Sequence, residues 1–595
     1  MIKYKISLPF RFLIIALPLL LASCASAPQK TSQSLAPDLS SQERQDLNTE
    51  DDLPTISAAE KDQIYPKIAL SSQLLYTFLL ADIAAQRGQP ELAAQAYLAL
   101  AKDTRDLRAA RRAAQLAYEA QQTELTLEAF RLWLELEPQA MMAKQLLSTV
   151  LISTGQLEEA RPYLVDLLAS DSNNAGRNFT QLYPLFARQM DRPATYKMLQ
   201  ALAQPYLRFA EVHWILAQAA KAASQHEVAL NEVRQARAMR PEWEPAALLE
   251  AQFLNTSAPA EALAIAKKFL TGYPDGHEVR LLYARILLEQ KQYPESRKQF
   301  QLLLTAKPDS AEMAFAVALL SIQMGELDRA EVELKQTLNV GRKDSATVHY
   351  YLGQLNEAKK ADELALREYQ QVKGGDYVFP SRLRIAYLLV KTNNLKEARE
   401  VLRQTEAKND QQIALLILTE GQILRDAKQY SMAAQVLSKG LKKLPDHPDL
   451  LYETAMVADK LSQHDVVEKT LRKLIKVAPS HAHAYNALGY SFLERRVHLV
   501  EAMRLVEKAY QLAPEEAAIM DSVGWGYYLT NNLAKSVEFL SRAYAVLPDA
   551  EIAAHLGEVL WQQGKHEEAK NIWQSNLLKN PDSAALKAVM KKFIP

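Results

Sequence analysis

Along the C-terminal part of this chain a large apolar residue stands beside a tiny one at Leu488-Gly489, Val523-Gly524 and Leu556-Gly557. A second small residue follows at Ala502, Ser536 and Ala569, then a large apolar one at Val506, Leu540 and Trp573, and then a proline at Pro514, Pro548 and Pro581. The period stays within a residue or so of 34. This pattern predicts two antiparallel helices per unit. The tiny residue of the first helix lets the second approach closely, the large residue of the second fills the space between units, and the proline stops the second helix because it lacks an N–H and disfavours helix before it. Gly524 and Gly526 in "GWGY" fall inside such a helix and read as packing residues.

The period matches that of tetratricopeptide repeats. The same frame runs backwards through prolines at 479, 445, 308, 274, 241 and 138 and through small-residue pairs such as Gly421 with Ala433 and Gly353 with Ala365. The expected architecture is all-α: a superhelical solenoid of about fifteen helix pairs between about 66 and 582, closed by a capping helix over 583–593. The frame weakens at 173–206, where Pro184, Pro193 and Pro205 predict an irregular unit, and at "KGGDYVFP", 373–380, where a break is expected. The repeats are accordingly divided into 66–206, 207–375 and 376–595. The first helix, "IALSSQLLYTFLLADIAAQRG", is apolar on more than one face. Its surplus reads as a buried first layer, with a docking surface as the alternative.

The N-terminus is of another kind. A basic start, Met-Ile-Lys-Tyr-Lys, leads into an apolar run from Phe12 to Leu21, too short to span a bilayer and right for a secretory signal. Leu21-Ala22-Ser23-Cys24 then resembles the lipobox of bacterial lipoproteins. That resemblance implies a signal peptide over 1–23, acylation at Cys24, and, with Ala25 rather than Asp in second place, sorting to the outer membrane with the folded part facing the periplasm. Residues 24–65 are polar, acidic and Ser/Gln/Pro-rich, a composition that cannot bury enough to order itself. They are expected to be a tether with a reach of roughly 35 Å.

Cys24 is the chain's only cysteine, so the mature protein has no thiol left for disulfides, thiol catalysis or cysteine metal sites. The 70 basic and 70 acidic side chains balance, which leaves no global electrostatic footprint for nucleic acid. The chain carries no HExxH, GxSxG, SxxK, Walker A or GxGxxG pattern. No enzymatic activity, cofactor or metal is expected; His481 and His483, two apart on a helix, point in different directions. A binding groove is better supported. Positions near 2, 5, 9 and 12 of each first helix face the inner side of such arrays; in the last three units these include His483, Asn486 and Tyr490, then Trp525 and Tyr528, then Glu558 and Trp561. Trp and Tyr are enriched at interface hot spots. Packing on the next unit or the capping helix is the competing role, most of all for Trp561. Asp521 and Ala554 stand where a carboxylate clamp would need its neighbours to Asn486, so capture of a C-terminal carboxylate is not expected.

"NALGYSFLERR", "DSVGWGYYL" and "EIAAHLGEVLWQQGKHEEAKNIW" resemble the C-terminal repeats of a Gram-negative tetratricopeptide lipoprotein family, typified by the lipoprotein binding partner of a periplasmic carboxyl-terminal processing protease. The resemblance is strongest over about 480–582 and extends to the plan of lipobox, tether and long array. It implies a non-enzymatic adaptor that binds the protease and promotes proteolysis of peptidoglycan hydrolases. Only Cys24 carries over as a residue. The alternative is a lipoprotein scaffold for envelope assembly, in exopolysaccharide export or in secretin and pilus biogenesis.

Overall fold

The computed structural model describes residue 66 and residues 68–341 and 344–594. Cys24, the signal and the tether lie outside them. Among the described residues there are 31 α-helices and no strand. In chain order they fall into fifteen consecutive pairs, a helix A and a helix B in each, followed by one last helix, Ala584–Phe593; in every pair but the fourth the two helices pack on each other. Two compact units divide the chain between Pro308 and Asp309, with seven pairs in the first and eight pairs plus the last helix in the second.

Local chemistry sets the helix ends. Several A helices start on a side-chain cap, as Asp106, Ser310, Asp344, Asn409 and Asp549 do by accepting from a backbone N–H two or three residues on. Most B helices instead open with Glu or Asp in the first turn, where the helix dipole favours negative charge. The prolines that mark the period lie two residues past the B-helix ends: Pro138 after Leu136, Pro479 after Val477, Pro514 after Leu512.

Most A-to-B turns place a residue in the left-handed region, and this glycine-poor chain often supplies a type other than glycine. Lys428 sits there at φ 58°, while the N–H of Gln429 closes on the Leu424 carbonyl at 2.8 Å. Its side chain is exposed. Lys428→Gly is therefore expected to gain about 0.5–1 kcal/mol by removing Cβ strain without losing a contact. A rise in the urea midpoint at unchanged slope checks it.

In the first unit one apolar cluster runs from Ala81 to Ala229 around Phe130, Phe179 and Phe186, all essentially unexposed. The irregular unit stands at the expected place. The helix Ala175–Phe186 carries Pro184 inside it and packs mainly on Ala210–Ala222, two helices on, and a 3₁₀ turn at Gln204–Tyr206 brings Tyr206 against Phe179. The first helix departs from expectation. Ser72–Gln86 buries only Ala81 and Ala84, whereas Leu75, Tyr76, Phe78, Leu79 and Ile83 remain exposed. The surplus is not a buried first layer: no element among the described residues covers it, because the second helix, Pro90–Thr104, takes only the opposite side.

In the second unit the B helix Asp362–Gln370 is short, and residues 371–377 form the break, with Gly375 at φ 78°. Elsewhere the small-against-large rule holds atom by atom. A Cβ on Gly489 would meet Val506 at 2.7 Å, one on Gly524 would meet Leu540 at 2.7 Å, and one on Gly557 would run into the Trp573 indole. Ala502, Ser536 and Ala569 are fully buried opposite them, and the Ser536 hydroxyl donates to the Gly524 carbonyl at 2.8 Å. Buried acids are paired: Glu453, 4% exposed, receives Arg425 at 2.6 Å, and Glu420 receives Arg399 at 2.9 Å.

Candidate functional site

The last three A helices, Ala482–Arg495, Ala517–Leu529 and Ala550–Gln562, lie side by side, with the final helix Ala584–Phe593 against the third. Residues about one repeat apart in sequence therefore face each other. Trp525 stacks on His555 with ring centres 4.2 Å apart and planes 21° from parallel, and Tyr528 lies 4.9 Å from Trp525 on the same helix face. Tyr490 lies 6.5 Å from His555, its ring tilted by 49°. Behind the imidazole stands Asp521, 6% exposed, whose carboxylate oxygens are 3.0 and 3.1 Å from His555 Nδ1.

Burial works against the His555 imidazolium, but the facing Asp521 carboxylate and Glu551 outweigh it, so its pKa lies above the ordinary 6.5. A histidine raised in the fold adds stability that is complete below its unfolded value and lost as pH rises through its folded one. The wild-type melting temperature is thus expected to fall, relative to Asp521→Asn, as pH is raised upward from 6.5. Melting curves across that range check this; parallel curves would show that the pair carries no proton-linked stability. Burial also pushes the Tyr490 phenol up, further raised by Asp521 and Glu494. The Tyr528 phenol is pushed up to about 12 by burial and by Glu558.

The expected groove residues separate into three groups. Tyr490, Trp525 and Tyr528 form one aromatic face, half-buried and gathered around His555. Glu558 and Trp561 belong to the closure of the array. Glu558 is 8% exposed, accepts from the Tyr528 hydroxyl at 3.2 Å and from Lys592 of the last helix at 2.8 Å. Trp561 stacks on His566 at 4.3 Å and lies 5.8 Å from both Trp573 and Phe593. His483 stands apart, beside Tyr452 and His481 at 6.5 and 6.2 Å, and burial lowers its pKa. Asn486 is half-buried on the same helix, with its Oδ1 buried and without a hydrogen-bond partner. His481 is used otherwise: its Nδ1 accepts from the Ala484 N–H at 3.1 Å and caps the helix.

His555 escaped the sequence reading. Its signal was available, since Asp521 and His555 are 34 residues apart, one repeat length. The ensemble can do what aromatic faces do: hold a partner's apolar or cationic side chain against rings, with a protonatable edge to accept or donate a hydrogen bond. Among the described residues no group of three His, Cys, Asp or Glu could hold a metal ion.

A tetratricopeptide repeat family model matches residues 256–320. The TPR repeat-containing protein PA4667 of Pseudomonas aeruginosa is 30% identical over 548 residues, 92% of this chain and 90% of that protein. Among solved structures, a thermophilic TPR protein of Thermus thermophilus is 23% identical, covering 30% of this chain and 97% of its own, at a TM-score of 0.28. MamA of Desulfovibrio magneticus is 21% identical over 30% of this chain and 100% of its own, at 0.26. The paired helices, the 34-residue period and the near full-length relative together make this chain a member of the tetratricopeptide repeat protein family to which PA4667 belongs.

Proposed function

We propose that this chain is a non-enzymatic adaptor, anchored to the outer membrane through Cys24 and facing the periplasm, that binds a carboxyl-terminal processing protease and presents peptidoglycan hydrolases to it. The repeat fold supports the coarser part of the reading, a scaffold for protein–protein interaction. The observation that carries it furthest is the Tyr490–Trp525–Tyr528 face, three half-buried aromatic rings gathered where the last A helices meet. The lipobox-like Leu21–Cys24 and the similarity of the last repeats to the adaptor family supply the anchor and the partner.

A pull-down from detergent-solubilised envelopes with the tagged chain, read by mass spectrometry, tests it. Recovery of the protease together with cell-wall hydrolases is expected. Recovery of secretin or polysaccharide-export components without the protease would replace this reading with that of an assembly scaffold. Trp525→Ala with Tyr528→Ala is expected to weaken capture at least roughly tenfold, as loss of aromatic hot spots does, while the melting temperature changes little. A large fall in that temperature would make the face part of the core instead.

A further inference from the structure

The two ends of the array are finished differently. At the C-terminal end the helix Ala584–Phe593 lies over the last pair and buries Leu586 and Val589. At the N-terminal end the helix Ser72–Gln86 turns an apolar face outward. Leu75, Phe78, Leu79 and Ile83 are each 44–47% exposed and Tyr76 63%, and Leu70 just before the helix is 75% exposed. Positions 75, 79 and 83 form a stripe one turn apart, with Phe78 and Tyr76 on its flanks. The helix has one charged residue, Asp82, and its carboxylate is engaged by Gln86 at 2.9 Å. Terminal repeats of soluble arrays need a polar outer face, and this one lacks it.

We infer that this face docks on the lipid bilayer, the helix lying in the plane of the membrane with its apolar side in the headgroup–acyl boundary. Two observations select lipid over another protein. Apart from the Tyr76 hydroxyl on its flank, the outward stripe is wholly apolar and carries no charge by which a specific protein would be oriented, whereas insertion into a bilayer needs only apolar area. It also lies just after the segment that begins at Cys24, so an acyl anchor there would bring this face within roughly 35 Å of the membrane. The inference rests on the anchored reading for that delivery, while the face itself does not depend on it. The surface would set the array's first repeats against the membrane.

The chain Ala25–Pro595, which keeps every described helix and carries no acyl group, is floated with vesicles of phosphatidylethanolamine and phosphatidylglycerol. It is expected to rise with them in high salt as in low, because the contact is apolar, and Leu75→Glu with Leu79→Glu is expected to abolish flotation at an unchanged circular dichroism spectrum. Val500→Glu, a more exposed apolar site far along the sequence, should float as the wild type does. Failure of the wild-type chain to float overturns the inference. So does a concentration-dependent dimer in sedimentation that Leu79→Glu dissolves, which would give the face to a second copy. In the full-length chain the double variant still fractionates with membranes if Cys24 is acylated, so loss of docking and loss of the anchor read out separately.

Discussion

A full-length chain carrying Cys24→Ala is expected to incorporate no labelled fatty acid, to accumulate with its signal uncut, and to be missing from the outer-membrane fraction. The effect should be all-or-none. Each acyl methylene contributes roughly 0.8 kcal/mol when buried in the bilayer, one chain alone binds reversibly, and two or more give stable anchoring. Nothing in the mature composition could substitute for them electrostatically, since loss of Lys3, Lys5 and Arg11 with the signal leaves 67 basic against 70 acidic side chains. The outer face of Ser72–Gln86 could hold part of the protein to lipid, but only weakly and without choosing between membranes. Fatty-acid labelling, the size shift on processing and sucrose-gradient fractionation check the three parts of the expectation. Normal processing and outer-membrane recovery of Cys24→Ala would remove the anchor from the functional reading and, with it, the reason to place the partner in the periplasm.

The repeat was legible because it is written in steric terms. Gly489, Gly524 and Gly557 are small for one reason, the close approach of Val506, Leu540 and Trp573, and such a constraint recurs with the period whatever the rest of the sequence does. The irregular unit near Pro184 and the break at Gly375 were legible for the complementary reason, since proline and adjacent glycines disturb a frame visibly. The site was legible only in part. Trp525 and Tyr528 declare themselves by type and by position on the A helix. His555 does not: its role comes from Asp521 on the preceding A helix and from the ring of Trp525 above it, and neither contact is local. Glu558 had the right position for a groove but acquires a structural part through Lys592, 34 residues on. The exposure of the first helix was hidden as well. A helix that is apolar all round is the same string of residues whether a neighbour covers its second face or not.

Trp573→Ala should produce the largest loss of stability of any single change in the last repeats. The side chain is wholly buried, its indole lies across the Cα of Gly557, its Nε1 donates to the Ala554 carbonyl at 3.3 Å, and it stacks at 5.8 Å on Trp561 and at 6.0 Å on Phe593. Truncating a buried tryptophan costs about 3–5 kcal/mol, and more of it is realised where the site cannot collapse. Here the glycine opposite has no side chain to move in. Because each repeat touches only its neighbours, the cost should stay local. The pair Ala550–Gln562 and His566–Lys579 would open together with the last helix, and the repeats before them would keep their protection. Hydrogen exchange should show that boundary, with Trp573→Phe recovering most of the loss by refilling the same space. The consequence reaches the aromatic face without a contact to it. Opening of the last A helix removes His555 from Trp525 and Glu558 from Tyr528, so partner capture should fall in step with stability. In Trp525→Ala it should fall with little change in stability. If Trp573→Ala melts like the wild type, the packing of an indole over Gly557 is not what closes this end of the array, and the burden passes to the ion pair between Glu558 and Lys592.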